Sequence, residues 1–374
     1  MNEKNMRLIE ILKKIVIDGK KDLNIVIDEE ILLLAKNHNL LNILKSYISN
    51  DFCPDVILES YIKSIFTSLV IDARQQKELQ LIKDKFNEFK IPFMPIKGAV
   101  IKKIYPSSDM RMSSDIDILV KENDYPRIEL IMEGLGFNLK NKSHAVHSVF
   151  IKNGVVIEIH KKLFSNNMIK SNFYNDIWGN SVNINKFEYQ MSIDDTYIYL
   201  LMHIAKHMKK GGIGIKHFLD IYLYIRKYEK EINWDYVEEI LKKEELDIFQ
   251  NNVKSLLRFW FCEESPSQTI KILSDFVISG GSYGTLRNTY VSKLSFAKKS
   301  KVIFIVNRLF PPREYMKSIY PEIGNKKCLL YFWIKRIAKK ITSSNKISDE
   351  TKIIAEIKKT DVEYYLDFQR NIGL

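Results

Sequence analysis

Two aspartates one residue apart, Asp115 and Asp117, sit inside the run Ser114-Asp-Ile-Asp-Ile-Leu-Val120. Side chains two apart on a strand leave from the same face, so in this strand-like run both carboxylates project together. Two such charges beside a buried strand repel unless protons or a cation intervene. Magnesium or manganese is the natural partner, because hard cations take carboxylate oxygens and share them with substrate phosphates. Asp-x-Asp alone also describes a surface aspartate or a helix cap, so the surrounding residues decide.

Upstream lies Lys97-Gly98, where a glycine lets backbone amides approach an anion at the start of a helix and the lysine supplies a point charge. Arg111 follows, then Ser113 and Ser114. Downstream, Glu158 and His160 alternate on one arm of a hairpin and share a face. Three acids on adjacent strands beside phosphate-binding groups are what two-metal phosphoryl chemistry requires. One ion activates the attacking oxygen and the other steadies the triphosphate and the departing pyrophosphate. His160 is placed to hold Glu158 or to bond a phosphate. His203 and His207, four apart with Lys206 between them, share a helix face and suit contact with nucleotide or acceptor. His144 and His147 fall before the hairpin in what reads as a loop and carry low weight.

The elements that must position these groups can be read from periodicity. Residues 1–90 read as helices, with apolar residues at three-to-four spacing in Ile9, Leu12, Ile15 and Val16 and again in Leu79, Ile82, Phe86 and Phe89. At Ile91 the composition changes, and Pro92 and Pro95 favour an extended, edge-like segment. A short helix to Tyr105, a loop to Ser114, a strand from Asp115 to Val120 and a helix from Tyr125 to Leu135 follow. Runs from Ser148 to Lys152 and Val155 to Ile159 flank Asn153-Gly154, a dipeptide suited to a type I′ turn. From about Ser192 helical periodicity returns, broken at Gly211-Gly212, Gly280-Gly281 and Pro311-Pro312. The expected layout is α+β: a helical region at 1–90, a short mixed sheet with helices at 91–191, and a helical region at 192–374.

The 374 residues, 45% of them hydrophobic, can bury a sizeable core. Three scattered cysteines, Cys53, Cys262 and Cys328, suit neither a disulfide framework nor a zinc cluster and fit a reducing compartment. Met1 to Lys21 lacks the apolar core of a secretory signal, and no stretch reaches the roughly 18 apolar residues of a spanning helix. A cytoplasmic protein is expected. Residues Val291 to Lys346 carry 14 Lys or Arg against 2 Asp or Glu, which accounts for the whole net charge of +12. Such a block attracts polyanions, although a solvated basic face on a helical tail has the same composition. Leu329 to Lys340, apolar and then basic, reads as a core helix with snorkelling lysines in preference to an interfacial membrane helix. Gly211-Gly212-Ile-Gly214 follows a helix and lacks phosphate-loop spacing, so it reads as a turn.

The ordered set Lys97-Gly98, Tyr105-Pro106, Arg111 to Val120 and Val156-Ile-Glu-Ile-His160 resembles the uncharacterised nucleotidyltransferase family of the DNA polymerase beta superfamily. Further similarities are His203-Ile-Ala-Lys-His207, Asp220 in Phe-Leu-Asp-Ile-Tyr222, and Leu309-Phe-Pro-Pro-Arg-Glu-Tyr315 before Tyr320-Pro321, so the likeness spans roughly Lys85 to Tyr320. The resemblance implies a polymerase-beta-type core and a Mg2+- or Mn2+-dependent enzyme that binds ATP or another nucleoside triphosphate. It also implies that Asp115 and Asp117 are the first two metal carboxylates and Glu158 the third, which orients or deprotonates the acceptor. Lys97, Gly98, Arg111, Ser114, His160, His203, Lys206 and His207 then fall on the nucleotide side. Two departures matter: Gly98-Ala99 replaces the Gly-Ser frequent in the superfamily, and Glu158 stands where aspartate is frequent. The acceptor stays open among a small molecule, a peptide, a protein and an RNA end. Alternatives are a toxin-like enzyme acting on tRNA or protein, a phosphodiesterase using the same metals, and a non-catalytic relative that binds nucleic acid or membrane through the basic C-terminal third.

Overall fold

A computed structural model of the protein describes residues 3–20, 27–45, 47, 55–142, 146–164, 170, 173, 177–297, 301–323, 329–343 and 346–374. Among the described residues, the α-helices α1 (Glu3–Leu12), α2 (Glu29–Asn37), α3 (Leu41–Leu44) and the long α4 (Asp55–Glu88) come first. The sheet region follows as β1 (Phe93–Ile96), α5 (Gly98–Ile101), β2 (Ile116–Val120), α6 (Tyr125–Gly134), β3 (Asn138–Lys142), β4 (His147–Lys152), β5 (Val155–His160), β6 (Val182–Asn185) and β7 (Glu188–Gln190). Then come α7 (Ile193–Lys209), α8 (Ile215–Tyr228), α9 (Trp234–Lys243), α10 (Asp247–Phe261) and α11 (Gln268–Gly280). The chain continues through α12 (Leu286–Ala297), α13 (Lys301–Leu309), α14 (Arg313–Ile319), α15 (Leu329–Ser343), α16 (Lys346–Glu356) and α17 (Lys359–Ile372). The class is α+β, as expected, with helices on either side of the sheet region in sequence.

Among the described residues the sheet has seven strands in the order β3-β4-β5-β2-β1-β7-β6. β2 pairs antiparallel with β1 and parallel with β5, while β4 and β5 form the expected hairpin. Asn153 and Gly154 at its tip both have positive φ, 48° and 81°, as a type I′ turn requires. The segment after Ile91 is a strand but not an edge. β1 has β2 on one side and β7 on the other, and the β7 pairing is confined to Phe93 opposite Glu188. The Phe93 N–H donates to Phe187 across that side, and two residues on, where Pro95 would have to donate, the ladder has ended. The proline thus limits the pairing without expelling the strand to an edge. β3, β6 and β7 add strands beyond those the sequence pattern reveals.

Alternation sorts β2 and β5 into two faces. Ile116, Ile118 and Val120 of β2 and Val155, Ile157 and Ile159 of β5 join Ile82 and Phe86 of α4, and Ile128 and Met132 of α6, in one buried cluster. Phe86 meets Phe93 edge to face with ring centroids 5.5 Å apart. Phe89, which continues the same helical spacing, is instead exposed at the end of α4. On the opposite face Met94, Ile96 and Leu119 belong to a larger core with α1, α2, α7, α8, α10 and α11. Asp115, Asp117, Glu158 and His160 share that second face, so α7 is packed over them.

Near the C-terminal end, Phe332 of α15 packs with Met316, Tyr320 and Ile323. Arg336 is also buried and donates to the Arg308 carbonyl, whereas Leu330, Tyr331 and Ile334 face outward. Gly211 and Gly212 form a close backbone crossing, not a phosphate loop. A Cβ on Gly284 would stand 2.1 Å from the Gly211 carbonyl oxygen, so the two segments touch main chain to main chain.

His38 fastens α2 to the C-terminal helices. Its Nδ1 accepts from the Ile215 N–H at 3.2 Å, so Nε2 carries the proton and donates to the Ile278 carbonyl at 2.9 Å. Burial holds its pKa below the ordinary 6.5, opposed by the bond to Ile278. A depressed histidine contributes stability that is complete above pH 6.5 and is lost as pH falls towards the lowered native value, because the unfolded chain binds the proton first. Urea unfolding between pH 7 and pH 5 is therefore expected to show falling stability, with a shallower slope in His38→Gln. Equal slopes would remove His38 from the acid response.

Candidate active site

The site begins with strand register. In the parallel β2–β5 pair, Asp117 stands directly opposite Glu158, and in the antiparallel β1–β2 pair it stands opposite Ile96. Lys97, the next residue, therefore emerges beside the carboxylates, and its Nζ donates to Asp117 Oδ1 at 2.5 Å. Its backbone has φ 51° and ψ −121°, a conformation that costs a non-glycine residue about 1–3 kcal/mol and that the ion pair helps to hold. Gly98 is required by a close approach. A Cβ there would meet Ser113 Oγ at 2.2 Å and Arg111 NH1 at 3.4 Å. The space that a side chain would fill is taken by the loop that leads into β2.

That loop is fixed from the other side by α8. Arg111 is buried, and its Nε and NH2 donate to Oδ1 and Oδ2 of Asp220 at 2.9 and 2.7 Å, a paired-fork geometry. NH1 donates to the Met112 carbonyl and to Ser113 Oγ, while Tyr105 OH donates to Asp220 Oδ1 at 2.8 Å. Arg111 thus forms part of the wall with its guanidinium committed to Asp220. Lys216, four residues before Asp220, donates from Nζ to the Met112 carbonyl at 3.1 Å. Burial, with the nearby Arg111 charge, lowers its pKa to about 7.

These groups line a cavity of about 320 Å³. One wall carries Asp115, Asp117, Glu158 and His160, and α7 contributes Tyr199, His203, Lys206 and His207. Lys97, Gly98, Arg111 and Ser114 complete the set named from sequence, and all of it reaches this one cavity. Ser114 lies at the rim, its Oγ 3.2 Å from Asp115 Oδ1 and 3.3 Å from the Tyr283 hydroxyl. Lys216, Tyr199 and Tyr283 are not singled out by the sequence, and His147 reads there as a loop residue of low weight. His147 is not in a loop: it begins β4, directly opposite His160. His144 lies outside the described residues.

Electrostatics set the members of the wall apart. Burial would raise the Asp117 carboxyl, but the Lys97 ammonium and the His160 bond at 2.7 Å reverse this and hold it well below the usual range. Lys97 is raised above its ordinary value: burial opposes its charge, and Asp117 outweighs the burial. Burial likewise works against His160, and its bonds to Asp117 and Glu158 raise it nonetheless. Glu158 is lowered, chiefly by the His160 bond and against burial. Asp115 goes the other way. Burial raises it, and the Asp117 charge adds to the effect beyond what Lys97 offsets. Asp115 is thus the carboxylate of this wall least served by the cations beside it. Asp115, Asp117 and Glu158 all line this cavity and offer the oxygen donors that a hard divalent cation takes. On α7, burial keeps His203 well below its ordinary pKa and lowers His207 to about 4, so both stay neutral hydrogen-bonding groups.

Against known proteins, residues 27–261, well over half the chain, match a family model described as an uncharacterised nucleotidyltransferase. Among solved structures, a solution structure of the antibiotic-resistance factor ANT(2'')-Ia aligns with 13% identity and a TM-score of 0.35, covering 52% of this chain and 100% of that one. No curated protein sequence matches.

The Arg111–Asp220 pair yields a stability prediction. Truncating one partner of a buried ion pair strands the other charge, so Asp220→Ala is expected to cost about 3–5 kcal/mol in urea unfolding. Replacing both, as Arg111→Met with Asp220→Leu, is expected to recover part of that loss. A single variant as stable as the parent would show that the pair does not hold the loop.

Proposed function

The chain belongs to the uncharacterised nucleotidyltransferase family, and from that premise we propose that it moves a nucleoside monophosphate from a nucleoside triphosphate to an acceptor hydroxyl or phosphate, releasing pyrophosphate. The observation that carries this reading is the register of β2 against β5, with Asp117 opposite Glu158 and Lys97 delivered beside them by β1. In the transfer, an acceptor oxygen bonds to the α-phosphorus as the bond from that phosphorus to the bridging oxygen of pyrophosphate breaks. The acceptor proton leaves to a carboxylate.

Asp115, Asp117 and Glu158 are the residues we assign to a divalent cation, Mg2+ or Mn2+. When bound, it supplies charge neutralisation for the triphosphate and acidifies the attacking oxygen. Glu158, with an oxygen held towards the cavity by His160, is the group we assign to orienting or deprotonating the acceptor. Lys97 is the cation nearest the carboxylates and is assigned to the phosphates together with Lys206 of α7. Neutral His203 and His207 offer hydrogen bonds without competing for a proton. Arg111 acts in this scheme by holding the Ser113–Ser114 turn in place. Gly98 acts by giving that turn room.

The donor base and the acceptor belong to the same proposal, with ATP as the first donor to try. Three unclustered cysteines support work in the reducing cytoplasm, and no described helix is long and apolar enough to cross a membrane. The basic stretch from Val291 to Lys346 supports contact with an anionic acceptor such as an RNA end.

Pyrophosphate release and nucleotide binding, measured with each of four common triphosphates in Mg2+ and in Mn2+, test the reading. The wild-type protein is expected to bind or turn over at least one of them in a metal-dependent way. Asp115→Asn and Asp117→Asn are each expected to lose on the order of 10³-fold in rate, the ~4 kcal/mol scale of a lost transition-state charge partner. Turnover unchanged in both variants, with folding verified by thermal unfolding, would sink the assignment.

A further inference from the structure

Beside the aspartates, three other side chains aim ligand atoms at one point. His160 Nε2 lies 3.3 Å from Glu158 Oε2, and His147 Nε2 lies 3.8 Å from the same oxygen. One ligand atom from each of His147, Glu158 and His160 lies within 4.8 Å of the other two. The sheet enforces the arrangement. His147 and His160 face each other across the β4–β5 ladder, and Glu158 is two residues from His160 on the same face. Their imidazole centroids are 5.0 Å apart.

The distances distinguish a ligand set from an ordinary hydrogen-bonded cluster. At 3.8 Å, His147 Nε2 is beyond bonding distance of Glu158, so the ring faces the carboxylate without being satisfied by it. Atoms that ligate one divalent ion at about 2.0–2.2 Å must stand roughly 3–4 Å from one another. The pairs formed with Glu158 already stand at that separation.

We propose that His147 Nε2, Glu158 Oε2 and His160 Nε2 ligate a divalent cation next to the Asp115–Asp117 pair, and that the two imidazoles bias this position towards manganese over magnesium. Magnesium demands a nearly ideal octahedron of oxygen ligands and dehydrates reluctantly, whereas the first-row transition ions, of which manganese binds nitrogen most weakly, accept imidazole more readily than magnesium does. Ligation needs His160 Nε2 without its proton, which is released to solvent or, in a neutral ring, carried on Nδ1; the hydrogen bond to Asp117 Oδ1 is given up and that oxygen becomes available to the neighbouring cation position. The role of the ion rests on the nucleotidyltransferase reading; its ligands do not. Specificity for the metal would then be written in β4 and β5, while the aspartates of β2 serve whichever ion accompanies the nucleotide.

Pulsed electron paramagnetic resonance of Mn2+ bound to the nucleotide-free full chain tests this without relying on turnover. Modulation from 14N is expected in the wild-type protein, shifting to 15N frequencies when only the histidines are isotope-labelled. It is expected to weaken in His147→Gln, a substitution at a partly exposed position; the labelling experiment needs no variant at all. Mn2+ bound with no nitrogen coupling would overturn this inference and leave the carboxylate site and the proposed activity standing. Mn2+ failing to bind with or without triphosphate would overturn both. Mg2+ competing for the nitrogen-coupled position as well as Mn2+ does would overturn the stated preference.

Discussion

The structure depends on keeping the Asp117 carboxylate charged while it is 3% exposed in the middle of a sheet. A carboxylate taken out of water is costly unless its lone pairs are met by cations or donors. Here they are met by Lys97 Nζ and His160 Nε2, which arrive from the strands on either side. Both arrivals are consequences of register. β1 must end opposite Asp117 to release Lys97 at the right height, and β5 must run parallel to β2 to bring Glu158 and His160 alongside. A one-residue slip in either pairing would send these side chains to the apolar face occupied by Ile82, Phe86 and Ile128. The apolar alternation of β2 and β5 therefore protects the polar cluster indirectly, by making every other register expensive.

A second buried ion pair holds the approach to that strand. Asp220 on α8 anchors Arg111 and accepts from Tyr105, so the segment from α5 to β2 is tied at both ends to one helix. Lys216 of the same helix bonds the Met112 carbonyl and fastens the middle. Gly98 completes the device by leaving room for Ser113. The cavity wall is thus carried by strands and a helix, which hold side chains more tightly than a free loop does. The remaining freedom is at the rim, where Ser114 and Tyr283 are exposed.

Much of this was legible in the sequence, for identifiable reasons. The Asp-Ile-Asp alternation announces a strand with two acids on one face, and Asn153-Gly154 announces the hairpin that carries Glu158 and His160. Both signals are local and both rest on period-two geometry or turn chemistry. His147 reads as a loop residue because its strand character comes from pairing with β5, not from the residues that precede it. Lys216 escaped because a lysine on an amphipathic helix reads as a solvated one, and only tertiary packing of α8 against the Met112 loop buries it. β1 was misplaced at an edge because a proline is visible in sequence, whereas the early end of the β7 ladder that accommodates it is not. β6, Val182-Asn-Ile-Asn185, alternates over only four residues, all of them exposed, and β7 is three residues long, so neither run is long enough to announce a strand.

In the proposed function, Asp115, Asp117 and Glu158 form one focus for divalent metal and triphosphate. An anomalous difference map from crystals of the full chain grown with Mn2+ and a non-hydrolysable nucleoside triphosphate addresses it directly. A manganese peak is expected, bonded to carboxylate oxygens of Asp115 and Asp117 and to the triphosphate. A nucleotide bound with its phosphates away from these carboxylates, or manganese found only at other positions, would contradict it.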